Sequence, residues 1–327
     1  MPHRLAAALV FALACLLAGP AEAQKARPEQ AEAVTWPSAL CANGVCNRMD
    51  GQGLPFATPG ATAVVLISHG SQGVDSRMFD YVDALAGAGF AALVIDHWKP
   101  RGISESHNDY VAASAKGANE YNMAFDSHTA AAWLRQRGYR KVGSIGESQG
   151  GAAAIMIQQK FLIAAVERNM RRIYGGSFEG KPIDAVVGLY GYCGYRNAKR
   201  DAYASTPFLF VTGEVDDETP SRYCERHVGW MNARGGNARI VVLPGEGHSF
   251  DAPYRRRRSM FMPYYAHCDI LLDETGITEL NSGQKTPGED VAAAMAKCLR
   301  KDAYHTGSWK DRFIGVPHWL GFFKENL

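Results

Sequence analysis

The stretch "SIGESQGG", Ser144 to Gly151, places a serine between two glycines directly after a short apolar run. The apolar residues before it predict a buried strand, and "GAAAIMIQQKFLI" after it predicts a helix. Ser148 therefore occupies a predicted strand–turn–helix corner, where Gly146 and Gly150 lack the side chains that would clash across a sharp turn. A glycine-rich turn without chemistry is the alternative, because G-x-S-x-G by itself is a weak signal.

Strands and helices alternate from about residue 62 to residue 245. Buried strands are predicted for "AVVLISHG", "AALVID", "KVGSIG", "DAVVGLYGY", "TPFLFVTGE" and "ARIVVLPG". Helical spacing separates them, as in "MFDYVDALAGAGF" and "AFDSHTAAAWLRQRGY". This order predicts an α/β fold with a mostly parallel central sheet and helices on both faces. Further on, "EDVAAAMAKCLRK" and "HWLGFFKENL" predict terminal helices that cover the sheet.

The N-terminus has the pattern of a secretory signal. Residues 1–23 combine a basic start, an apolar stretch and a small-residue cleavage site, so the mature protein is expected to begin at Gln24 in the periplasm or outside the cell. A membrane anchor is disfavoured because the apolar stretch is short for a span. Residues 24–60 are predicted to be an irregular lead-in with a turn at Asn43 and Gly44, and residues 61–327 to be one domain.

Composition excludes several partners. The chain has 327 residues, 46% hydrophobic and 21% charged, with a formal net charge of +2. So small a net charge predicts no general attraction to nucleic acid or membrane. No CxxC motif and no histidine pair with ligand spacing lies beside the cysteines, so neither a metal nor another cofactor is expected.

Export leaves an even number of cysteines in an oxidising compartment, which predicts at least one disulfide bond although six cysteines allow fifteen full pairings. The six are Cys41, Cys46, Cys193, Cys224, Cys268 and Cys298. The favoured pairs are Cys41–Cys46, which closes a small loop, and Cys268–Cys298, which ties the predicted C-terminal helices to a loop. Cys193 and Cys224 form the remaining pair.

Two further polar residues follow predicted strands. His248, in "LPGEGHSF", follows the last clear strand and is the candidate base that a serine nucleophile needs. Asp216 or Asp217, in "PFLFVTGEVDDETP", is the candidate carboxylate that orients the base, with a solvated acidic turn as the alternative. The chain order serine, aspartate, histidine is that of the α/β-hydrolases.

With these motifs in place, the chain resembles the dienelactone hydrolase branch of the α/β-hydrolases over about residues 60–327. The resemblance rests on "SHGSQG", "VIDHWKPRG", "GESQGG", "TGEVDDETP" and "GEGHSF". It implies the α/β-hydrolase fold, with Ser148 as nucleophile, His248 as base and Asp216, three residues after Gly213, as acid. The family's name-giving enzymes carry a cysteine where this chain has serine, which favours ordinary ester chemistry.

Other site residues are expected around this set. The resemblance implies an oxyanion hole made by the backbone N–H groups of Gln149 and Ser71. Trp98, Tyr192 and Phe250 lie near predicted strand ends and are candidates to line a substrate pocket, with simple packing as the alternative.

Taken together, the sequence predicts an exported serine hydrolase that cleaves a small-molecule carboxylic ester through a Ser-His-Asp triad and an acyl-enzyme. A prolyl-oligopeptidase-like peptidase has the same triad order, but the N-terminal segment is too short for a propeller that would gate peptides. A non-catalytic secreted binding protein on a hydrolase scaffold is the third reading. Oligomeric state has no signature in the sequence.

Overall fold

The computed structural model describes residues 25–104, 110–264, 267–273, 276–287, 290–296 and 298–327, so the predicted signal segment, residues 1–23, lies outside the described residues. The strands are β1 (Val34–Ala42), β2 (Val45–Phe56), β3 (Ala63–Ser68), β4 (Ala91–Ile95), β5 (Lys141–Glu147), β6 (Ala185–Leu189), β7 (Tyr195–Asn197), β8 (Pro207–Gly213), β9 (Asn237–Leu243), β10 (Arg257–Tyr264), β11 (Ile270–Asp273), β12 (Gly276–Glu279), β13 (Gln284–Thr286) and β14 (Arg300–Thr306). The helices are α1 (Ser76–Gly87), α2 (Tyr110–Ala115), α3 (Glu120–Gln136), α4 (Gln149–Ile157), α5 (Lys160–Tyr174), α6 (Ser221–Asn232), α7 (Val291–Met295) and α8 (Val316–Asn326).

A mostly parallel, eight-stranded sheet in the order β1-β2-β4-β3-β5-β6-β8-β9 forms the centre of the described structure. The strands from β4 to β9 in this order pair in parallel, as their continuous apolar sequences predict. Successive residues of β3 face opposite sides: Val64 and Leu66 pack with α3 to α6, whereas Val65 and Ile67 pack with α1 and α8. The predicted α/β fold with helices on both faces is confirmed.

The expectation of an irregular lead-in is wrong for the segment from Val34 to Phe56. This segment is a long hairpin, β1 and β2, that extends the sheet by antiparallel pairing with β4. Its turn lies at Asn43 and Gly44, which have φ of 53° and 78°, as the Asn-Gly dipeptide predicts. Glycines, prolines and polar residues inside the strands hide their period-two pattern, and the pairing with a distant strand supplies the stability that local propensity lacks.

The C-terminal region agrees with only one of its two predicted helices. The segment "HWLGFFKENL" lies in α8, which buries Trp319, Phe322 and Phe323 against the sheet. In contrast, "EDVAAAMAKCLRK" contains the five-residue α7 and the start of β14. Here the chain builds two small sheets, β10-β14 and β13-β12-β11-β7. Whether such short strands form depends on pairing partners that are far apart in sequence.

All three cysteine pairs form disulfide bonds: Cys41–Cys46, Cys193–Cys224 and Cys268–Cys298. The first joins facing residues of the β1–β2 hairpin, and the third ties the segment before β11 to the segment after α7. Three disulfides are typical of a protein that folds in an oxidising compartment. Among the residues that the structure describes, no helix has the length and apolar character needed to cross a membrane.

Candidate active site

Three loops at the carboxyl edge of the parallel sheet bring the predicted residues together. Ser148 follows β5, Asp216 follows β8 and His248 follows β9. Parallel strands end at the same edge, so residues 100 positions apart in sequence come within hydrogen-bond distance. Ser148 Oγ lies 3.1 Å from His248 Nε2, and His248 Nδ1 lies 3.0 Å from Asp216 Oδ2.

The backbone at Ser148 is strained, as a sharp strand-to-helix turn requires. Its φ of 50° and ψ of −111° lie outside the conformations that residues with side chains normally adopt. A Cβ atom at Gly146 would collide with the carbonyl group of Gly150, and a Cβ atom at Gly150 would collide with the carbonyl group of Ser68 at the end of β3. The two glycines therefore permit the turn, and the half-buried Ser148 projects at the N-terminus of α4.

The carboxylate of Asp216 is held by its own loop. Oδ1 accepts hydrogen bonds from the backbone N–H groups of Glu218, at 3.0 Å, and Thr219, at 2.8 Å. Oδ2 lies 2.9 Å from the Thr219 hydroxyl and accepts from His248 Nδ1. Three N–H donors, with the Thr219 hydroxyl alongside, thus fix the buried carboxylate in the orientation that faces the imidazole.

Asp217, the alternative acid, points elsewhere. Its Oδ1 accepts from the backbone N–H of His305 at 2.8 Å, and its Oδ2 lies 3.0 Å from His305 Nδ1. This side chain is much more exposed than Asp216 and makes its contacts with β14. Of the two neighbouring aspartates, the geometry brings only Asp216 to His248.

A second carboxylate, Glu218, lies beside the imidazole and was missed by the sequence reasoning. Glu218 Oε2 is 3.0 Å from His248 Nε2, an ion-pair distance. Burial alone would lower the pKa of His248, but the carboxylates of Glu218 and Asp216 raise this pKa well above 6.5. Burial also raises the pKa of Glu218 itself. The sequence feature that could have pointed to Glu218 is its position in "DDETP", two residues after Asp216.

Glu147, inside the G-x-S-x-G turn, connects this turn to the loop after β3. Its Oε1 accepts from the backbone N–H of Gly70 at 2.6 Å, and its Oε2 lies 3.1 Å from Arg77 Nη1. Burial raises the pKa of Glu147 to about 7 against the opposing effect of Arg77. Because Gly70 precedes Ser71, this contact sets the distance between Ser71 and the nucleophile turn.

A small pocket opens directly beside Ser148, with a cavity volume of about 20 Å³, enough for a water molecule or an ammonium group. Its lining residues are Ser71, Tyr110, Glu120, Ser148, Gln149, Ala152, Tyr192, Glu218 and Thr219. Ser71 and Gln149, the predicted oxyanion residues, both lie here. Gln149 is the first residue of α4, where backbone N–H groups have no acceptor within the helix.

Of the three aromatic candidates, only Tyr192 lines this pocket. Trp98 is buried in a small cluster with Ile103 and packs edge to face against His69. Phe250 packs under Tyr190, on the side of the sheet covered by α1 and α8. Both aromatic side chains therefore fill the interior, which was the alternative for aromatics near strand ends.

Another serine, histidine and aspartate meet in the interior. Ser68 Oγ lies 3.1 Å from His97 Nε2, and His97 Nδ1 lies 2.9 Å from Asp126 Oδ2. Asp126 also accepts from Arg101 Nη1 at 2.9 Å and from the Ser38 hydroxyl at 2.9 Å. The Ser68, His97 and Asp126 side chains form what is here called the interior set, and all three are buried.

Comparison with solved structures finds α/β-hydrolase proteins at low identity. A putative dienelactone hydrolase from Klebsiella pneumoniae is 18% identical, with 68% of this chain and 90% of that chain covered and a TM-score of 0.46. A dienelactone hydrolase from Anabaena variabilis is 19% identical, with 68% and 90% covered and a TM-score of 0.41. Esterase 2 of Thermogutta terrifontis is 14% identical, with 70% and 88% covered and a TM-score of 0.48.

The structural neighbours are dienelactone hydrolases and esterases. No protein-family model matches the chain. No curated protein matches it either. Identities below 20% and TM-scores below 0.5 leave the reaction to be argued from this chain's own side chains.

Proposed function

We propose that this protein is an exported serine hydrolase that cleaves carboxylic esters through an acyl-enzyme intermediate. The observation that carries the proposal is the hydrogen-bonded series from Ser148 Oγ to His248 Nε2 and from His248 Nδ1 to Asp216 Oδ2, at 3.1 and 3.0 Å. A strained nucleophile turn and an adjoining pocket support it. Export is supported by the signal-like N-terminus and by the three disulfides.

In this proposal Ser148 Oγ attacks the ester carbonyl while His248 Nε2 accepts its proton. Asp216 keeps the Nδ1–H oriented and stabilises the imidazolium that forms. The backbone N–H groups of Gln149 and Ser71 bind the negative oxygen of the tetrahedral intermediate, and the start of α4 adds partial positive charge there. His248 then protonates the departing alcohol. A water molecule, deprotonated by the same imidazole, releases the acid and restores Ser148.

Glu147 and Arg77 have a supporting role in this scheme. Together they tie the loop that carries Ser71 to the turn that carries Ser148. Oxyanion stabilisation depends on donors held at a fixed distance from the attacked carbonyl, so this buried contact is a positioning element rather than a participant in the reaction.

The test is labelling with a fluorophosphonate probe followed by peptide mapping, on protein exported with its disulfides intact. The expected result is modification of Ser148 alone, with hydrolysis of short p-nitrophenyl esters and little turnover of peptide p-nitroanilides. The variants Ser148→Ala and His248→Ala should both lose labelling. If both are still labelled, the proposal is contradicted. Turnover of p-nitroanilides above that of esters favours the peptidase, and a folded protein that neither reacts with the probe nor hydrolyses esters favours the binding protein.

A further inference from the structure

The pocket beside Ser148 contains three buried oxygen atoms that lack hydrogen-bond partners among the described residues. They are Oε2 of Glu120, Oε1 of Gln149 and Oε2 of Glu218. The three side chains are 3%, 5% and 6% exposed, and all line the same pocket. A buried acceptor without a donor costs about 1–3 kcal/mol, and more when it is charged. Glu218 Oε2 lies 3.0 Å from His248 Nε2, which compensates it, so the oxygens of Glu120 and Gln149 are the two that point to a ligand with hydrogen-bond donors.

Three of the five hydroxyl groups around the pocket, those of Tyr110, Tyr192 and Thr219, have acceptors in the protein. Tyr110 donates to Glu120 Oε1 at 3.0 Å, and Tyr192 donates to the backbone carbonyl of Cys268 at 2.6 Å. The Thr219 hydroxyl lies 3.0 Å from the carbonyl of Tyr190. None of these three hydroxyl groups therefore donates to Glu120 Oε2 or Gln149 Oε1.

The charged side chains that the described residues contribute to the pocket lining are negative. The described residues that line it include two glutamates and no lysine or arginine. Glu218 faces His248, whose imidazolium can compensate its charge, and the Tyr304 hydroxyl hydrogen-bonds to it as well. Among the described residues, the donors beside the Glu120 carboxylate are its own backbone N–H, the Tyr110 phenol and the Gln149 amide, all of them uncharged. A buried carboxylate in such surroundings is stabilised by a cation with several donors.

We propose that this pocket recognises the positively charged, hydrogen-bond-donating end of an ester substrate, a primary ammonium group, through Glu120 and Gln149. An ammonium group has three donors and no acceptor. It can donate to both Glu120 and Gln149, and its positive charge compensates the carboxylate of Glu120. A carboxylate in the same place would face the Glu120 charge. That the bound molecule is a substrate rests on the proposed esterase function. That the pocket selects a positive charge rests on the pocket residues alone.

The binding test uses small probes that need no turnover. We expect n-butylammonium to bind the wild-type protein about tenfold more tightly than 1-butanol at pH 8, above the pKa of about 7 that burial gives Glu120, and sodium butyrate not to bind. Binding is followed by saturation-transfer NMR and by competitive inhibition of p-nitrophenyl acetate hydrolysis. Equal binding of the ammonium and the alcohol, or tighter binding of butyrate, overturns the inference.

Substitution of Glu120 identifies the recognition residue. Glu120→Gln keeps the shape of the side chain and removes its charge, so the preference for n-butylammonium over 1-butanol should fall by about tenfold. Glu167→Gln, which removes a carboxylate on the outer helix α5, is the matched control and should keep the preference. If Glu120 is only a structural residue, Glu120→Gln lowers the melting temperature and weakens both probes equally, which also overturns the inference.

Ester substrates then link recognition to turnover. The methyl esters of β-alanine, 3-hydroxypropionic acid and butyric acid are compared with monomethyl succinate, each kcat/KM divided by the ester's own rate of alkaline hydrolysis. The β-alanine ester should be preferred over the butyrate ester in wild type, and the preference should fall about tenfold in Glu120→Gln. Hydrolysis without preference refutes the recognition while the esterase stands. Ammonium binding by a protein that hydrolyses no ester refutes the esterase while the recognition stands.

Discussion

Ser148 and Ser68 each lie 3.1 Å from the Nε2 atom of a histidine, and each histidine in turn lies within 3.0 Å of an aspartate. By these distances alone, the site at the edge of the sheet and the interior set have the same serine–histidine–aspartate arrangement. The surroundings differ. Ser148 is half-buried, has a positive φ and borders an open pocket, whereas Ser68 is the last residue of the buried strand β3.

The charges around the two histidines also differ. Asp126 in the interior set pairs with the buried Arg101, and burial lowers the pKa of His97. The hydrogen bonds of His97 to Ser68 and Asp126 join the end of β4 to β3 and α3. At the sheet edge, two carboxylates raise the pKa of His248 against the effect of burial. The comparison teaches that hydrogen-bond lengths do not distinguish a structural set from a candidate catalytic one; access to a pocket and the charge balance of the imidazole do.

The largest expected contrast lies between the two serines. Ser148→Ala should lower kcat for ester hydrolysis by about 10⁶-fold, because the nucleophile and its proton acceptor act as one unit. Ser68→Ala should keep kcat and lower the free energy of unfolding by about 1–2 kcal/mol, since it leaves His97 Nε2 without its partner. Steady-state kinetics and urea unfolding measure both. Inactivity of folded Ser68→Ala would break the distinction between the sets.

The next contrast separates adjacent aspartates. Asp216→Asn should lower kcat by about 10⁴-fold, because the amide no longer holds the imidazole in the orientation and tautomer that the base requires. Asp217→Asn should stay within about threefold of wild type, since its contacts are with His305. The reverse result, with Asp217→Asn inactive and Asp216→Asn active, would move the acid by one residue.

The interior set should show its role in stability. Asp126→Asn leaves the buried Arg101 without its counter-ion and should lower the free energy of unfolding by about 3 kcal/mol, while kcat per folded molecule stays at the wild-type value. The control is Glu325→Gln, which removes an exposed pair with Arg239 and should cost less than about 1 kcal/mol. Equal losses in urea unfolding would show that the interior ion pair contributes no more than a surface one.

The smallest expected effect concerns pH. The neutral imidazole that accepts the serine proton forms only above the pKa of His248, so kcat/KM should rise with pH through a value above 6.5. Glu218→Gln removes a negative charge 3.0 Å from Nε2 and destabilises the imidazolium, so this pKa falls and the acidic limb of the profile moves to lower pH. Asp217→Asn is the control that leaves the limb in place. A limb that stays fixed in Glu218→Gln would show that Glu218 does not act on His248.

The sequence by itself determined the features whose signal is local. Continuous apolar runs predict the parallel strands, and the glycines around Ser148 predict a turn that tolerates no side chains. The positions of Ser148, Asp216 and His248, each directly after a predicted strand of the parallel sheet, were enough to predict that they meet, because parallel strands end at one edge.

Only the tertiary structure decided the features that depend on distant partners. The β1–β2 hairpin forms because β4 offers an edge, and the strands after residue 256 form through pairing across the C-terminal region. Glu120 begins α3 and Glu218 lies in the loop after β8, and nothing in their neighbouring residues shows that both face one pocket. The interior set has the residue types and spacings of a catalytic site, and its exclusion from solvent, which sequence spacing does not encode, makes it structural.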